Sequence, residues 1–308
     1  MLRTLIAPLL LAACAGASQP AGLASPAGSY TPCEPAAALA ALGDERARAE
    51  AVLDMGPAER EDLALALLPC LSDPDPDLRD GAAYAALSQM MRSQLIGRET
   101  VMGVMQETLR MAGAPEDAAG FARPFAMLTL AEVARTDRIT PWMEPEARDG
   151  LIAAAHAYLA GLTDYRGFSD AKGWRHGVAH TADLLMQLSL NPQLTKPQAE
   201  AILAAVALKA GPTDHSYIFG ENERLAAPVM YLAQREFFGE EEWTLWFESL
   251  WPGDDPLREN VYGSEAALAK LHNLRAFAEA VYVSAKASNE ATYEPVARGA
   301  FALLNSLP

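Results

Sequence analysis

Past its first thirty residues, the chain places apolar side chains three and four positions apart almost without pause. The segments DLALALLPCL (62–71), LIAAAHAYLAGL (151–162) and AEAILAAVALKA (199–210) are typical. That spacing gathers apolar groups on one side of an α-helix, and no run alternates in the two-residue period a half-buried strand needs. The pattern breaks at SDPDPD (72–77), AGAPED (112–117), LNPQLTKP (190–197), AGPTD (210–214) and WPGDDP (251–256), all rich in helix-boundary residues. About twelve helices of roughly 10–20 residues are expected. The fold class is all-α, and residues 35–308 are read as one helical domain.

Their arrangement is suggested by DPDPDLRDGAAYAALSQMM (73–91), in which Asp-Pro precedes a helix carrying Arg79 and Asp80 in its opening turns. This resembles the interrepeat turn of HEAT/armadillo-like solenoids, and helical pairs follow at intervals of roughly forty residues, as such arrays require. Stacked helical pairs (an α-solenoid) are therefore expected, with a compact α/α bundle or toroid as the alternative.

The N-terminus reads as an address. Arg3 precedes an apolar run from Leu5 to Ala13, too short for a permanent membrane span of about 20 residues. Residues 1–13 are expected to be a signal peptide. LAAC (11–14) resembles a bacterial lipobox, which implies cleavage before Cys14 and lipidation of its thiol; cleavage after AGA (15–17) is the rival. Residues 14–34, rich in Ala, Gly, Ser and Pro, are read as a flexible tether. Ala15 is not the aspartate of inner-membrane retention, so the expected location is the periplasmic side of the outer membrane, with the lipid as the sole membrane contact.

The full chain carries 24 basic and 40 acidic residues, a net charge of −16. Such a balance argues against nucleic acid and anionic lipid, both polyanions, as partners. It suits an envelope protein or a cell-wall component instead. Cys33 and Cys70 are the remaining thiols, and an oxidising compartment favours a bond between them over two separate buried thiols.

Four blocks between residues 72 and 246 carry a more specific resemblance: LRDGAAYAAL (78–87), FARPFAMLTLAEVARTDR (121–138), DYRGFSDAKGWRHGVAHTADLL (164–185) and GENERLAAPVMYL (220–232). Together they resemble the bacterial domain-of-unknown-function family 2785. Arg79, Asp80, Gly81 and Tyr84 match its first block. Arg123-Pro124-Phe125 departs from its usual Arg-Ser-Phe, and the proline should start or kink a helix there. Arg166 to Asp183 match the third block in full, and Glu221, Glu223 and Arg224 match the fourth. The resemblance implies no activity.

The third block holds the chemistry most worth testing. On a helical wheel, Trp174, Val178, Thr181, Leu185 and Leu188 share a core-facing stripe, whereas His176, His180, Asp183 and Gln187 share the opposite face. His180 could touch Asp183 and so hold one tautomer. Three readings follow. The face is solvated scaffold; or His176, His180 and Asp183 bind zinc or a similar ion; or the face takes an anionic or sugar ligand, with Arg166, Lys172, Trp174 and Arg175 nearby. Gly177 stands where His-Glu-x-x-His hydrolases have their glutamate, which argues against a zincin-type protease.

His215, Glu221, Glu223 and Arg224 are further candidates; the two glutamates open a helix, where the dipole favours them. An approach of His215 or Glu221 to the histidine face within about 4 Å would strengthen a metal or acid–base reading, with Glu221 then a catalytic candidate beside His176, His180 and Asp183. His156 and His272 are read as packing residues. In FFGEEEWTLWFESLW (237–251), Trp243, Trp246, Phe247 and Leu250 form a core stripe, with a sugar-stacking platform as the alternative. Neither a nucleophile elbow nor a phosphate-cradling glycine loop occurs. A helical-repeat binding or scaffold protein is the leading expectation, and a metal-dependent enzyme, such as a hydrolase, the second.

Overall fold

Proline, aspartate and threonine decide where the helices begin. In the computed structural model, which describes residues 31–308, Pro57 opens α3 (Pro57–Ala66) and Pro145 opens α8 (Pro145–Gly161), positions where a missing N–H costs nothing. Asp44 caps α2 (Glu45–Asp54), and Thr195 and Gln198 form a capping box on α10 (Lys196–Ala210). The fold is all-α apart from one small antiparallel hairpin, β1 (Phe168–Ser169) with β2 (Gly173–Trp174). No helix among the described residues is long and apolar enough to cross a membrane. The expected signal peptide, Cys14 and most of the expected tether lie outside the described residues. The folded unit starts at Pro32, slightly before the expected boundary at 35.

α1 (Glu34–Ala40) is fastened at its first turn. Cys33 is disulfide-bonded to Cys70, and its backbone N–H donates to Asp73 Oδ2 at 3.0 Å. Asp75 then caps the three-residue α4 (Pro76–Leu78), which runs through a π-helical turn (Arg79–Tyr84) into α5 (Ala85–Arg92). The helix expected after the Asp-Pro pair thus begins at the expected proline, but its first turns widen into the rarer i→i+5 pattern, a form frequent at functional sites.

After α5 the chain alternates between two rows. α5, α7 (Ala122–Ile139), α9 (Gly177–Ser189), α11 (Glu221–Ala233) and α13 (Glu265–Ser288) are successive neighbours. α3, α6 (Arg98–Gly113), α8 and α10 are neighbours in turn, and α12 (Glu240–Ser249) packs on α14 (Glu294–Ser306). α9, α11 and α13 open at intervals of 44 residues. α7 opens 55 residues before α9, and the surplus lies in the 162–176 connection that carries the hairpin.

A buried carboxylate ties the rows together. Asp137, at the end of α7, accepts from the backbone N–H of Trp142 and Met143 (2.7 and 2.6 Å), from Arg148 of α8 (3.3 Å) and from Asn191 after α9 (2.6 Å). The two buried charges there, Asp137 and Arg148, are thus paired with each other and with backbone or amide groups, as burial demands.

The aromatic segment 237–251 belongs to the core. Trp243, Phe247 and Trp251 are almost wholly buried, and edge-to-face contacts link Trp243, Trp246, Phe247 and Phe277. This leaves no platform for a sugar there. His156 and His272, expected to pack, are exposed.

Candidate functional site

Along one face of the α5–α7–α9–α11 row runs a cleft of about 750 Å³. Its walls come from all four motif blocks: Asp80 and Tyr84 from the π turn, Phe125 and Glu132 from α7, Trp174, His176, His180 and Asp183 from the hairpin and α9, and Arg224 from α11.

Arg79 organises the first wall although it does not line the cleft. Fully buried, its guanidinium sits 3.8 Å from the Phe121 ring centroid and pairs with Asp80 at 2.7 Å. It also donates to the carbonyls of Asp73 and Lys172, both at 2.9 Å. One side chain thereby clasps the disulfide-bearing turn, the π segment and the hairpin. Burial raises the Asp80 carboxyl above its usual range, against the pull of Arg79.

The hairpin alters the sequence-based picture of the histidines. α9 starts at Gly177, so Trp174 lies in β2 and His176 is the residue before the helix, in the left-handed region at φ 53°. Their helical-wheel positions therefore do not apply, whereas Val178, Thr181, Leu185 and Leu188 face the core as expected. The backbone N–H of His176 donates to the Arg166 carbonyl, extending the hairpin pairing and fixing the unusual turn.

Two glycines are set by close approach. A Cβ on Gly167 would lie 2.0 Å from the Phe219 ring, and one on Gly177 would lie 2.3 Å from the Tyr158 hydroxyl. The position that would hold the glutamate of a His-Glu-x-x-His site therefore has no room for any side chain.

His176 and His180 both line the cleft, nearly buried, with ring centroids 6.0 Å apart. His176 Nε2 is 3.5 Å from Glu221 Oε1, which meets the distance set for an acid–base partnership. Burial would raise the Glu221 carboxyl, but His176 and the backbone N–H of Phe219 hold it below its ordinary value. His180 Nδ1 faces the Pro124 carbonyl at 3.3 Å. Burial, reinforced by the neighbouring His176 and Arg224, lowers its pKa to about 3, so the ring is neutral at physiological pH. Pro124 sits in the first turn of α7, two residues after the helix opens at Ala122, and its carbonyl is what His180 meets.

Asp183 does not touch His180 as the spacing allowed. Arg224 takes both of its oxygens, the Nε contact being 2.9 Å, because a guanidinium fork matches a carboxylate edge better than an imidazole one turn away. Burial still raises the Asp183 carboxyl, with Arg224 opposing. His176, His180 and Asp183 therefore do not converge as a zinc-ligand set. Among the described residues no three His, Cys, Asp or Glu side chains are placed to hold an ion.

Several other candidates lie elsewhere. Arg166 is paired with Asp164, Lys172 is exposed, and Arg175 donates to the Ala119 carbonyl over the Phe121 ring. His215 stacks on Tyr165, with ring centroids 4.8 Å apart, and Glu223 borders a separate groove between α11 and α13. Conversely, the cleft recruits Arg92 and Glu132, a pair linking α5 to α7, with Tyr84 donating its hydroxyl to the same carboxylate at 3.3 Å. Sequence reasoning passed over both. Each looks like an ordinary helix-surface charge, and their partnership spans 40 residues.

No curated protein and no solved structure matches the chain. A family model described as "Protein of unknown function (DUF2785)" matches residues 109–283, so that blocks two to four fall inside the match and Arg79–Tyr84 outside it. With more than half of its length matched, the protein belongs to the DUF2785 family.

Proposed function

We propose that this is an envelope lipoprotein, anchored through Cys14 and built from HEAT-like stacked helical pairs, whose cleft binds a small polar ligand. The observation that carries the reading is convergence: four blocks spread over some 145 residues, from Asp80 to Arg224, bring their polar side chains to one concave surface. A scaffold alone has no need to sink carboxylates such as Glu132 and Asp183 into the wall of a hollow, since each costs desolvation. The cleft volume lies within the roughly 300–1,000 Å³ of small-molecule sites. The ligand is a soluble envelope constituent or part of a cell-wall component, and the acidic surface disfavours polyanions.

Thermal unfolding against a mixed panel of small polar compounds tests this. At least one compound should stabilise the wild type and leave an Arg224→Ala variant unaffected. A panel that stabilises neither, or both equally, overturns the reading. Loss of membrane association in Cys14→Ser tests the anchor.

The His176–Glu221 pair favours a second reading, an enzyme in which that pair moves protons or the two imidazoles recruit zinc. Elemental analysis after native purification separates the metal form: stoichiometric zinc, lost in His176→Ala, supports it. Zinc absent from both proteins leaves the binder.

A further inference from the structure

We infer, resting on the binding role just proposed, that the cleft is built for an uncharged polyhydroxyl ligand, a sugar or short oligosaccharide, with Trp174 as its stacking surface.

The charges decide the class. Three carboxylates (Asp80, Glu132, Asp183) and two guanidiniums (Arg92, Arg224) line the cleft. Each guanidinium is already occupied: Arg92 grips Glu132 and Arg224 grips Asp183 in two-point pairs, while Arg79 pairs with Asp80 from behind. A carboxylate or phosphate ligand would find no guanidinium there whose charge is not already neutralised by an internal carboxylate. A cation would meet carboxylates whose charge is already met. What remains are the outward edges of planar, oriented ion pairs, together with the neutral imidazole of His180. Such edges present fixed donors and acceptors side by side, which suits adjacent hydroxyl groups that both donate and accept.

The apolar side is equally specific. Trp174 is 39% exposed, flanked by Phe168 at 5.0 Å and by Phe219 edge-on at 5.8 Å, while His176 stacks on it at 4.7 Å. An indole braced on three sides yet open to solvent keeps its orientation and offers apolar area without ordering cost. Its place beside polar pairs matches the two-sided character of a pyranose ring, with C–H faces and hydroxyl edges. The hairpin that presents it is the surplus segment of the helical series, where a repeat architecture places binding loops.

Titration calorimetry on the purified mature protein in detergent tests this with named probes: chitotetraose, standing for wall glycan; cellotetraose and maltotetraose, for free sugars; and citrate, glucose 6-phosphate and spermidine as charged controls. At least one neutral tetraose should bind, with an affinity nearly constant between low and high salt. Trp174→Ala should weaken it at least about tenfold, Trp174→Phe should restore part of the loss, and both variants should unfold at the wild-type temperature. Binding of citrate, the sugar phosphate or spermidine in an Asp183-dependent way, with no neutral sugar bound, would sink the ligand class and leave the cleft a binding site. Sugar binding indifferent to Trp174 would also overturn the inference. No binding by any probe would refute it, and the broader proposal would fall with it only if the mixed compound panel also failed.

Discussion

Two aromatic-rich regions of this molecule, the segment around Trp174 and the segment around Trp243, meet opposite fates. Trp243 is 2% exposed and surrounded by other rings, whereas Trp174 is 39% exposed and its neighbours include an imidazole that pairs with a carboxylate. The difference lies in what carries each ring. α12 delivers its aromatics at helical spacing onto α14, so they pack as one stripe. The hairpin delivers Trp174 from a two-residue strand that has no helix face to bury. Aromatic content alone therefore says little about function, and the supporting element says much.

Substitutions can break or sharpen this contrast. The largest effects should come from one interior residue in each region. Phe247→Ala should cost roughly 3–5 kcal/mol in urea unfolding through the cavity it leaves, with ligand affinity unchanged in the folded fraction. Arg79→Met should cost about as much, because Asp80 and two carbonyls lose a buried partner, but here the folded fraction should lose affinity too. Equal affinity in both variants would erase the distinction between core and cleft.

Next in size is the disulfide. Replacing Cys33 and Cys70 by serine opens a loop with a sequence separation of 37 and should cost about 3–4 kcal/mol in the chain-entropy model. Comparing unfolding with and without reductant checks it.

A smaller effect separates the regions by pH. His180 has its folded pKa lowered to about 3, against roughly 6.5 unfolded. The unfolded chain therefore takes up the proton first, and stability falls as pH drops below about 6.5, at up to about 1.4 kcal/mol per pH unit. Asp80 and Asp183, whose carboxyls are raised, act in the opposite sense: their destabilisation is relieved as pH falls towards the ordinary carboxylate range. Wild type and a His180 variant share those carboxylates, so the difference between their profiles from about pH 6.5 to 5 isolates the histidine contribution. His180→Gln should flatten the profile in that window, and an unchanged profile would contradict the neutral, buried ring.

The smallest effect on stability belongs to Asp183→Asn. Its partner Arg224 is nearly half exposed, so solvent screening should hold the loss below about 1 kcal/mol, while ligand affinity should fall markedly.

What could be read in advance follows the same division. The helices were legible because their apolar spacing and boundary residues are local properties. The motif residues around His180 and Arg224 were legible as a group, but their partners were not. Asp183 found Arg224 across 41 residues, and Glu221 reached His176 through the junction of hairpin and helix. The left-handed His176 carries only a weak sequence signal, since histidine is enriched in that conformation but adopts it far less readily than glycine. Its backbone pairing to Arg166, its stacking on Trp174 and its contact with Glu221 fix it there.

The π turn at Arg79–Tyr84 has one more consequence. Its wider winding accommodates a residue that ordinary helical geometry would exclude, so removing one alanine from that stretch should let the coil close up. A regular α-helix advances about 100° per residue, so the same deletion in α7 or α9 would rotate every later side chain by that angle. Here the narrower coil takes up the missing residue, and Tyr84 keeps close to its place beside Asp80. Chain length is therefore a less strict requirement in this stretch than in the regular helices that line the cleft.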